Sequence, residues 1–264
     1  MKNNGLLYLR IKPCLQRLVI AFALLFCSAA FAYAASESVK SGKTAYSDLY
    51  PQFCVIKKNV PVSVSKNTLY LTFDDGPSVR TDEILKILDK KGVKATFFVV
   101  GTKDEANLAR MREIVRLGHA IGLHSYSHNY RKIYASVPAF LCDLNKEFML
   151  IKQTTGVTPE IYRMPGGSVN RYNRRIYRQI KKEMARRGFV GFDWNMSACD
   201  TAPNCRTTKQ IVSNIKAQSA RTKRPIILMH DSEKKVLTVQ ALEEIIDFFI
   251  AKGYKFEILT PFVQ

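Results

Sequence analysis

From residue 67 onward, short apolar runs rich in β-branched and aromatic residues alternate with stretches whose apolar positions recur every three or four residues. The runs predict strands at 67–73 (NTLYLTF), 94–101 (KATFFVVG), 119–124 (HAIGLH), 160–165 (EIYRMP), 189–195 (FVGFDWN), 225–231 (PIILMHD) and 255–260 (KFEILT). Residues 82–92 (DEILKILDKKG) begin with acids and end with lysines and a glycine, as a helix dipole and a left-handed C-terminal cap prefer. A helix starting near Pro138 places Phe140, Leu144, Phe148 and Ile151 on one face, and VQALEEIIDFFIAKG is a helix that stops at Gly253. Strands separated by helices predict a parallel sheet, and the regularity of the alternation favours an α/β barrel over an open sheet.

The first 66 residues do not share this pattern. Lys2, Arg10, Lys12 and Arg17 precede the apolar run VIAFALLF, then small residues and AYAA, the layout of a secretory signal peptide cleaved after Ala34. A retained membrane anchor is the other reading, but the run is short for a full span. Residues 35–66 are polar and irregular and are expected to form an N-terminal arm or linker, and 67–264 are expected to form one folded domain.

Charge and cysteine content sharpen the setting. The chain has 41 basic and 22 acidic residues, net +19. Only the four named above fall in the leader, so the excess stays with the exported part. It points to anionic envelope polymers, and export directs it away from nucleic acid; solubility alone is the plainer use of such charge. Six cysteines are present, and Cys14 and Cys27 leave with the leader. Cys199 and Cys205 bracket the loop CDTAPNC and are expected to pair; the alternative is four free thiols, with Cys54 and Cys142. The mature protein is expected to be an extracytoplasmic monomer without a stable membrane span.

Barrels of this kind place chemistry at the carboxyl ends of their strands. Asp74 and Asp75 end the first run, His124 the third, Arg163 and Pro165 the fourth, Trp194 the fifth and His230 the sixth. HSYSH (124–128) spaces two imidazoles by four residues, one face of a helical turn. Two such nitrogens and one carboxylate make a three-ligand site for zinc or another divalent ion, with room for water or substrate. His119, earlier in its strand, is expected to be a core residue.

These segments resemble the NodB-homology polysaccharide deacetylases, carbohydrate esterase family four. The resemblance covers about residues 67–262 and rests on TFDDGP (72–77), HSYSH (124–128), RMPGG (163–167), FDWNMSACD (192–200) and ILMHD (227–231). It implies a distorted (β/α) barrel of about seven parallel strands and metal-dependent hydrolysis of acetyl groups on glycans. It assigns Asp75, His124 and His128 to one divalent metal, zinc first, with cobalt, manganese or nickel as alternatives. Asp74 would be the general base and Arg163 its orienting partner. His230 would be the general acid and Asp200 would hold its imidazole. Leu228 would help form the acetyl-methyl pocket, and the Gly166 N–H would help bind the oxyanion. Trp194, the sole tryptophan, is either a groove wall or core.

Two departures from the commonest family pattern bear on substrate. Gly166 stands where an aromatic residue often follows the motif proline, and Asn195 and Thr201 follow Trp194 and Asp200. With Pro-Gly-Gly-Ser, they look like the bacterial wall-deacetylase branch, so the expected substrate is N-acetylglucosamine of peptidoglycan. A chitin-oligosaccharide or other polysaccharide deacetylase, an O-acetyl esterase, or an inactive wall-binding module are the alternatives. The segment NRYNRRIYRQIKKEMARRG (170–188) turns Ile176, Ile180 and Met184 to the barrel and its charges outward. Those charges either meet anionic wall polymer or are merely solvated.

Overall fold

The structure, a computed structural model, describes residues 46–56 and 67–263. The signal peptide and most of the arm lie outside the described residues. Two compact units divide the chain at Leu49 and Tyr50; the described part of the first contains one 3-10 turn, Tyr46–Asp48.

The second unit contains eight parallel strands: β1 (Thr68–Asp74), β2 (Thr96–Val100), β3 (Ala120–Ser125), β4 (Ile161–Tyr162), β5 (Val190–Gly191), β6 (Met196–Ser197), β7 (Ile226–His230) and β8 (Lys255–Phe256). The sheet order is β5-β4-β3-β2-β1-β7-β6, and β8 pairs with the first two residues of β1. Helices α1 (Val79–Lys91), α2 (Glu105–Arg116), α3 (Tyr130–Ile133), α4 (Val137–Thr155), α5 (Tyr177–Arg186), α6 (Thr208–Ser219) and α7 (Val236–Ala251) occupy the connections. This is a distorted (β/α) barrel. Among the described residues no helix is long and apolar enough to cross a membrane.

The helix boundaries follow from capping. Ser78 opens α1 with a capping box completed by Thr81, and Gly92 closes it at φ 64°. Ser136 caps α4, whose first turn contains Pro138, and Gly156 ends it in the left-handed region.

All seven residues of β1 are buried, because helices cover one face of the sheet and the barrel interior covers the other. Alternation sorts them. Leu69, Leu71 and Phe73 join the large core between sheet and helices, while Tyr70 joins Phe98, Ile161, Phe192, Leu259 and Val263 in a small second core. The inward series on β1 is therefore Tyr70, Thr72, Asp74, an apolar floor rising to a polar rim. Gly122 belongs to the same interior: a Cβ there would come 2.7 Å from Phe98 and 2.9 Å from Ile161.

Of the segment 189–195, expected as one strand, only Val190–Gly191 is a strand, and β6 follows just after it. β5 pairs with β4 at one edge of the sheet, and β6 pairs with β7 at the other. The chain between them, Phe192 to Asn195, crosses from edge to edge, so no ladder is found along it. Arg163 spans this seam by donating to the carbonyls of Phe192 (3.1 Å) and Asp193 (3.2 Å).

The domain begins before the first strand. Phe53 is fully buried against Phe148 and Phe189, and Arg187 donates to the carbonyls of Tyr50 (2.9 Å) and Phe53 (3.0 Å). A buried phenylalanine of this kind contributes about 1.5–3 kcal/mol, so the end of the expected arm packs as part of the domain. Cys54, Cys142, Cys199 and Cys205 are free thiols, so the expected Cys199–Cys205 bridge is not formed. The loop is held instead by backbone turns, Ala202 N–H to Cys199 and Cys205 N–H to Ala202.

Candidate active site

Strand register gathers the predicted residues at one rim. Asp74 is the Cα partner of His230 and of Phe98, and Leu123 is that of Tyr162, directly before Arg163. The carboxyl ends of β1, β3, β4 and β7 therefore open onto one hollow.

Asp75 Oδ1 lies 3.4 Å from His124 Nε2 and 3.1 Å from His128 Nε2, and the three potential ligand atoms fall within 4.8 Å of one another. His124 Nδ1 sits 3.0 Å from the Arg163 carbonyl, which only accepts, so Nδ1 carries the proton and Nε2 presents its lone pair to the hollow. His128 Nε2 is sealed from solvent and makes no well-directed hydrogen bond. A lone pair, an orphaned imidazole nitrogen and a carboxylate converging on one point suit a divalent cation. Burial pushes the Asp75 carboxyl up, but the two imidazoles beside it, His124 and His128, outweigh that and hold it well below the usual carboxylate range.

The two histidines do not converge through a helical turn. His124 ends β3, and His128 follows in a loop with φ 48°. Asp143 of α4 builds that loop: it accepts from Ser125 Oγ (2.5 Å) and from the N–H groups of Tyr126 (2.8 Å) and Ser127 (3.1 Å). Ser125 Oγ in turn accepts from the His128 N–H at 2.9 Å. One helical turn further on, the buried Glu147 accepts from the His124 N–H at 2.9 Å, and its burial raises its pKa well above the carboxylate range. Asp75, Ser125 and His128 all have positive φ. Such conformations cost on the order of 1 kcal/mol or more each and persist only where surrounding contacts enforce them.

Asp74 stays apart from this triad. Its Oδ1 receives Arg163 Nη1 at 2.8 Å, and its Oδ2 lies 3.8 Å from His124 Nε2. Arg163 is 1% exposed, also donates to Thr72 Oγ1 (2.7 Å), and lies 4.3 Å above the Phe98 ring centroid. With every donor group engaged, the guanidinium fixes the direction of the carboxylate.

Across the hollow, His230 Nδ1 is 2.8 Å from Asp200 Oδ1, while Asp200 Oδ2 accepts from the His230 N–H (2.9 Å) and Thr238 Oγ1 (2.8 Å). Burial disfavours the imidazolium, but the Asp200 hydrogen bond and the charges of Asp200, Asp74 and Asp75 prevail, and the His230 pKa is raised. Asp200 moves the other way: burial pushes it up, and its bonds to His230 and Thr238 bring it below its ordinary value.

The floor and walls follow. Leu228 is buried yet belongs to neither apolar core; two residues before His230, it shares the inward face. Gly166 and Gly167 have φ 75° and 84°, where glycine is the residue without strain. A Cβ at Gly166 would meet Tyr130 at 2.8 Å, and one at Gly167 would meet Trp194 at 3.2 Å. The double glycine thus lies between two aromatic rings, and Trp194 is half-buried beside the groove. Burial and then the charges of Asp75 and Asp74 push the Tyr130 hydroxyl up to about 12. Asp193 clamps the glycine loop by accepting from the Ser168 N–H (2.9 Å) and hydroxyl.

Sequence reasoning missed Asp143, Glu147, Tyr130, Asp193 and Asp231. A signal existed for Glu147, a carboxylate within the apolar stripe of α4. Asp231 is buried under the Asp75–Pro77 turn, accepts from Thr81 Oγ1 (2.6 Å), and burial is the main cause that pushes its pKa up to about 7. A Cβ at Gly76 would overlap its carboxylate at 2.1 Å. His119 is the core residue it was expected to be, accepting from the Ala95 N–H at 3.2 Å and stacking edge-on against Phe97.

Comparison with known proteins agrees with this geometry. The polysaccharide deacetylase family model matches residues 62–185. The chain is 31% identical over 200 residues to a putative polysaccharide deacetylase, YheN, of Bacillus subtilis, covering 75% of this chain and 68% of that protein. It is 30% identical over 200 residues to a peptidoglycan-N-acetylglucosamine deacetylase of Bacillus cereus, covering 73% and 69%. The solved catalytic domain of a peptidoglycan N-acetylglucosamine deacetylase from Eubacterium rectale superposes with a TM-score of 0.73 at 36% identity, covering 78% of this chain and 94% of that one. The chain belongs to the polysaccharide deacetylase family, a family of hydrolases.

Proposed function

We propose that this protein removes N-acetyl groups from a cell-envelope glycan, N-acetylglucosamine of peptidoglycan before other acetylated glycans, and releases acetate. The observation that carries the reading is the arrangement of three groups around one hollow: the Asp75–His124–His128 triad, the Asp74–Arg163 pair, and the His230–Asp200 pair opposite. The substrate is supported by the relatives that are peptidoglycan N-acetylglucosamine deacetylases; the extracytoplasmic setting is supported by the substrate and by the leader pattern of residues 1–34.

Asp75, His124 and His128 would hold one divalent ion, with zinc the first candidate and cobalt, manganese or nickel accepting the same donors. When bound, the ion supplies the Lewis acidity that polarises the acetyl carbonyl and makes water a nucleophile near neutral pH. The side chains then have separate tasks. Asp74, aimed by Arg163, takes the proton of the attacking water. The Gly166 N–H donates to the acetyl oxygen as it gains negative charge. His230, kept cationic by Asp200, gives its Nε2 proton to the glucosamine nitrogen as the C–N bond breaks, leaving acetate and a free amine. Leu228 would receive the methyl group, and Tyr130 and Trp194 would flank the sugar.

Acetate release from acetylated oligosaccharides and peptidoglycan, with and without chelator, tests the reading. Chelator-sensitive release from the wall glycan is the expected result. An O-acetyl esterase would act only on ester-bearing xylan, a chitin-type enzyme on chitin oligomers alone, and an inactive wall-binding module would release nothing.

A further inference from the structure

The segment 170–187 contains eight basic residues and one acid, Glu183. Arg186 and Arg187 pair with Glu183. The other six, Arg171, Arg174, Arg175, Arg178, Lys181 and Lys182, are all exposed, and none pairs with a carboxylate among the described residues. Elsewhere on the surface some cations have an acidic partner within 3.0 Å (Arg80, Lys90, Lys91, Arg110, Arg116 and Lys216) and others, such as Lys86, Lys103 and Lys146, have none among the described residues; what distinguishes this segment is six such cations between residues 171 and 182.

The local helix makes this concentration of charge unfavourable on its own. Ile180 and Met184 bury the apolar face of α5, so every cation is forced outward. The amino end of α5 has no acidic residue in its first turn and no side-chain cap; Arg174 and Arg175 directly precede its N-cap residue and Arg178 lies in its first turn. Helix dipole and side chains therefore add their positive potentials where they should oppose. Arg171 and Arg178 are already ordered: each lies over its neighbouring tyrosine ring and hydrogen-bonds its hydroxyl, at 2.7 Å to Tyr172 and 3.0 Å to Tyr177. Guanidinium groups held in this way suit bidentate contact with phosphate oxygens.

The patch also reaches the residues that hold the glycine loop beside the groove. Lys181 lines a small cavity of about 40 Å³ together with Ser168 and Asp193, the pair that clamps the Gly166–Gly167 turn.

We propose that the exposed basic face of residues 171–182 binds a polyanion with closely spaced phosphates, and so holds a phosphate-bearing envelope polymer beside the catalytic groove. Arginines outnumber lysines four to two on this face, which favours phosphate over dispersed carboxylates as the recognised group. The polymer touches no catalytic residue, so its effect falls on retention at the wall and not on the chemical step.

The test uses the full chain and long-chain inorganic polyphosphate as the probe, with anionic phospholipid vesicles as a second arm. The triple variant Arg174→Glu, Arg175→Glu, Arg178→Glu is compared with Lys209→Glu, Arg221→Glu, Lys223→Glu. The latter makes the same charge change at one exposed residue in the first turn of α6 and two in the turn leading into β7. The first variant should bind polyphosphate at least roughly tenfold more weakly and with a shallower salt dependence, because fewer counterions are released. The second should stay within about twofold, a change too small for lost phosphate contacts. Both should cleave a short uncharged acetylated oligosaccharide as the parent does, and thermal melting checks their folding; Arg→Gln changes at the same three positions replace the glutamates if folding fails. Equal weakening by the two variants reduces the effect to net charge and overturns the proposal. So does unchanged binding by the first variant, or binding of vesicles without binding of polyphosphate. Absence of acetate release by the parent would bear on the catalytic reading alone, since polyphosphate binding is measured without turnover.

Discussion

Asp74 and His230 are Cα partners in the register of β1 and β7, so a buried carboxylate and an imidazole face the same hollow from adjacent strands. Neither reaches the other's role, because each has its own holder: Arg163 at 2.8 Å from Asp74, Asp200 at 2.8 Å from His230. In the proposed reaction this separation lets Asp74 act as base and His230 as acid on opposite sides of one amide.

The paired aspartates should fail differently. Asp75→Asn should lose metal, and excess metal should restore part of its activity. Asp74→Asn should keep the metal and lose activity by on the order of 100-fold or more, as for a missing general base. Metal content and acetate release of each variant decide it; the reverse pattern would exchange their roles.

Asp200→Asn should move the alkaline limb of the kcat/KM profile to lower pH. Asp200 is the chief group raising the His230 pKa, so its charge keeps the imidazolium present to higher pH. The stability contributed by His230 has the same sign. It is present below the unfolded imidazole value of 6.5 and lost as pH rises through the raised folded value. A profile unchanged in Asp200→Asn would remove Asp200 from this role.

Asp143→Ala should weaken metal binding by roughly 10- to 100-fold, the range for groups that orient ligands, although Asp143 is no ligand itself. It takes away the acceptor for Ser125 Oγ and two loop N–H groups that together fix His128. Titration with zinc or cobalt measures the loss; full affinity in a folded Asp143→Ala protein would contradict it.

Tyr130→Ala should raise KM for acetylated oligosaccharides more than it lowers kcat. Its ring covers Gly166 and stands edge-on to His128 at 5.3 Å. Loss of about 1 kcal/mol of ring contact corresponds to roughly fivefold. Tyr130→Phe should retain most of the parent KM if the ring, and not the hydroxyl, makes the contact.

Gly122→Ala should destabilise the fold by about 1–3 kcal/mol, the cost of overpacking, because the new methyl would meet Phe98 and Ile161 inside the barrel. Denaturant unfolding followed through Trp194 fluorescence measures it.

The chain's own pattern determined a good deal. Alternating apolar runs and helical periodicities report which residues must leave water, and these specified the parallel α/β fold, α1, α4 and α7, and the rim on which Asp74, Asp75, His124, Arg163 and His230 meet. Residue type also specified which of them can ligate, accept or donate. What the pattern cannot hold is the partner across a gap, because that depends on register between strands remote in sequence and on how each connection turns. Tertiary structure therefore decided that His124 and His128 converge through an Asp143-built loop and not a helical turn, and that 189–195 forms one short edge strand, β5, and then crosses the seam to β6. It decided that Cys199 and Cys205 stay apart as thiols, and that Tyr130, which opens α3 just after His128, covers Gly166. Apart from the cysteine loop, whose turns are local, the deciding interaction joins groups that lie apart in sequence, and the folded sheet brings them within a few ångströms.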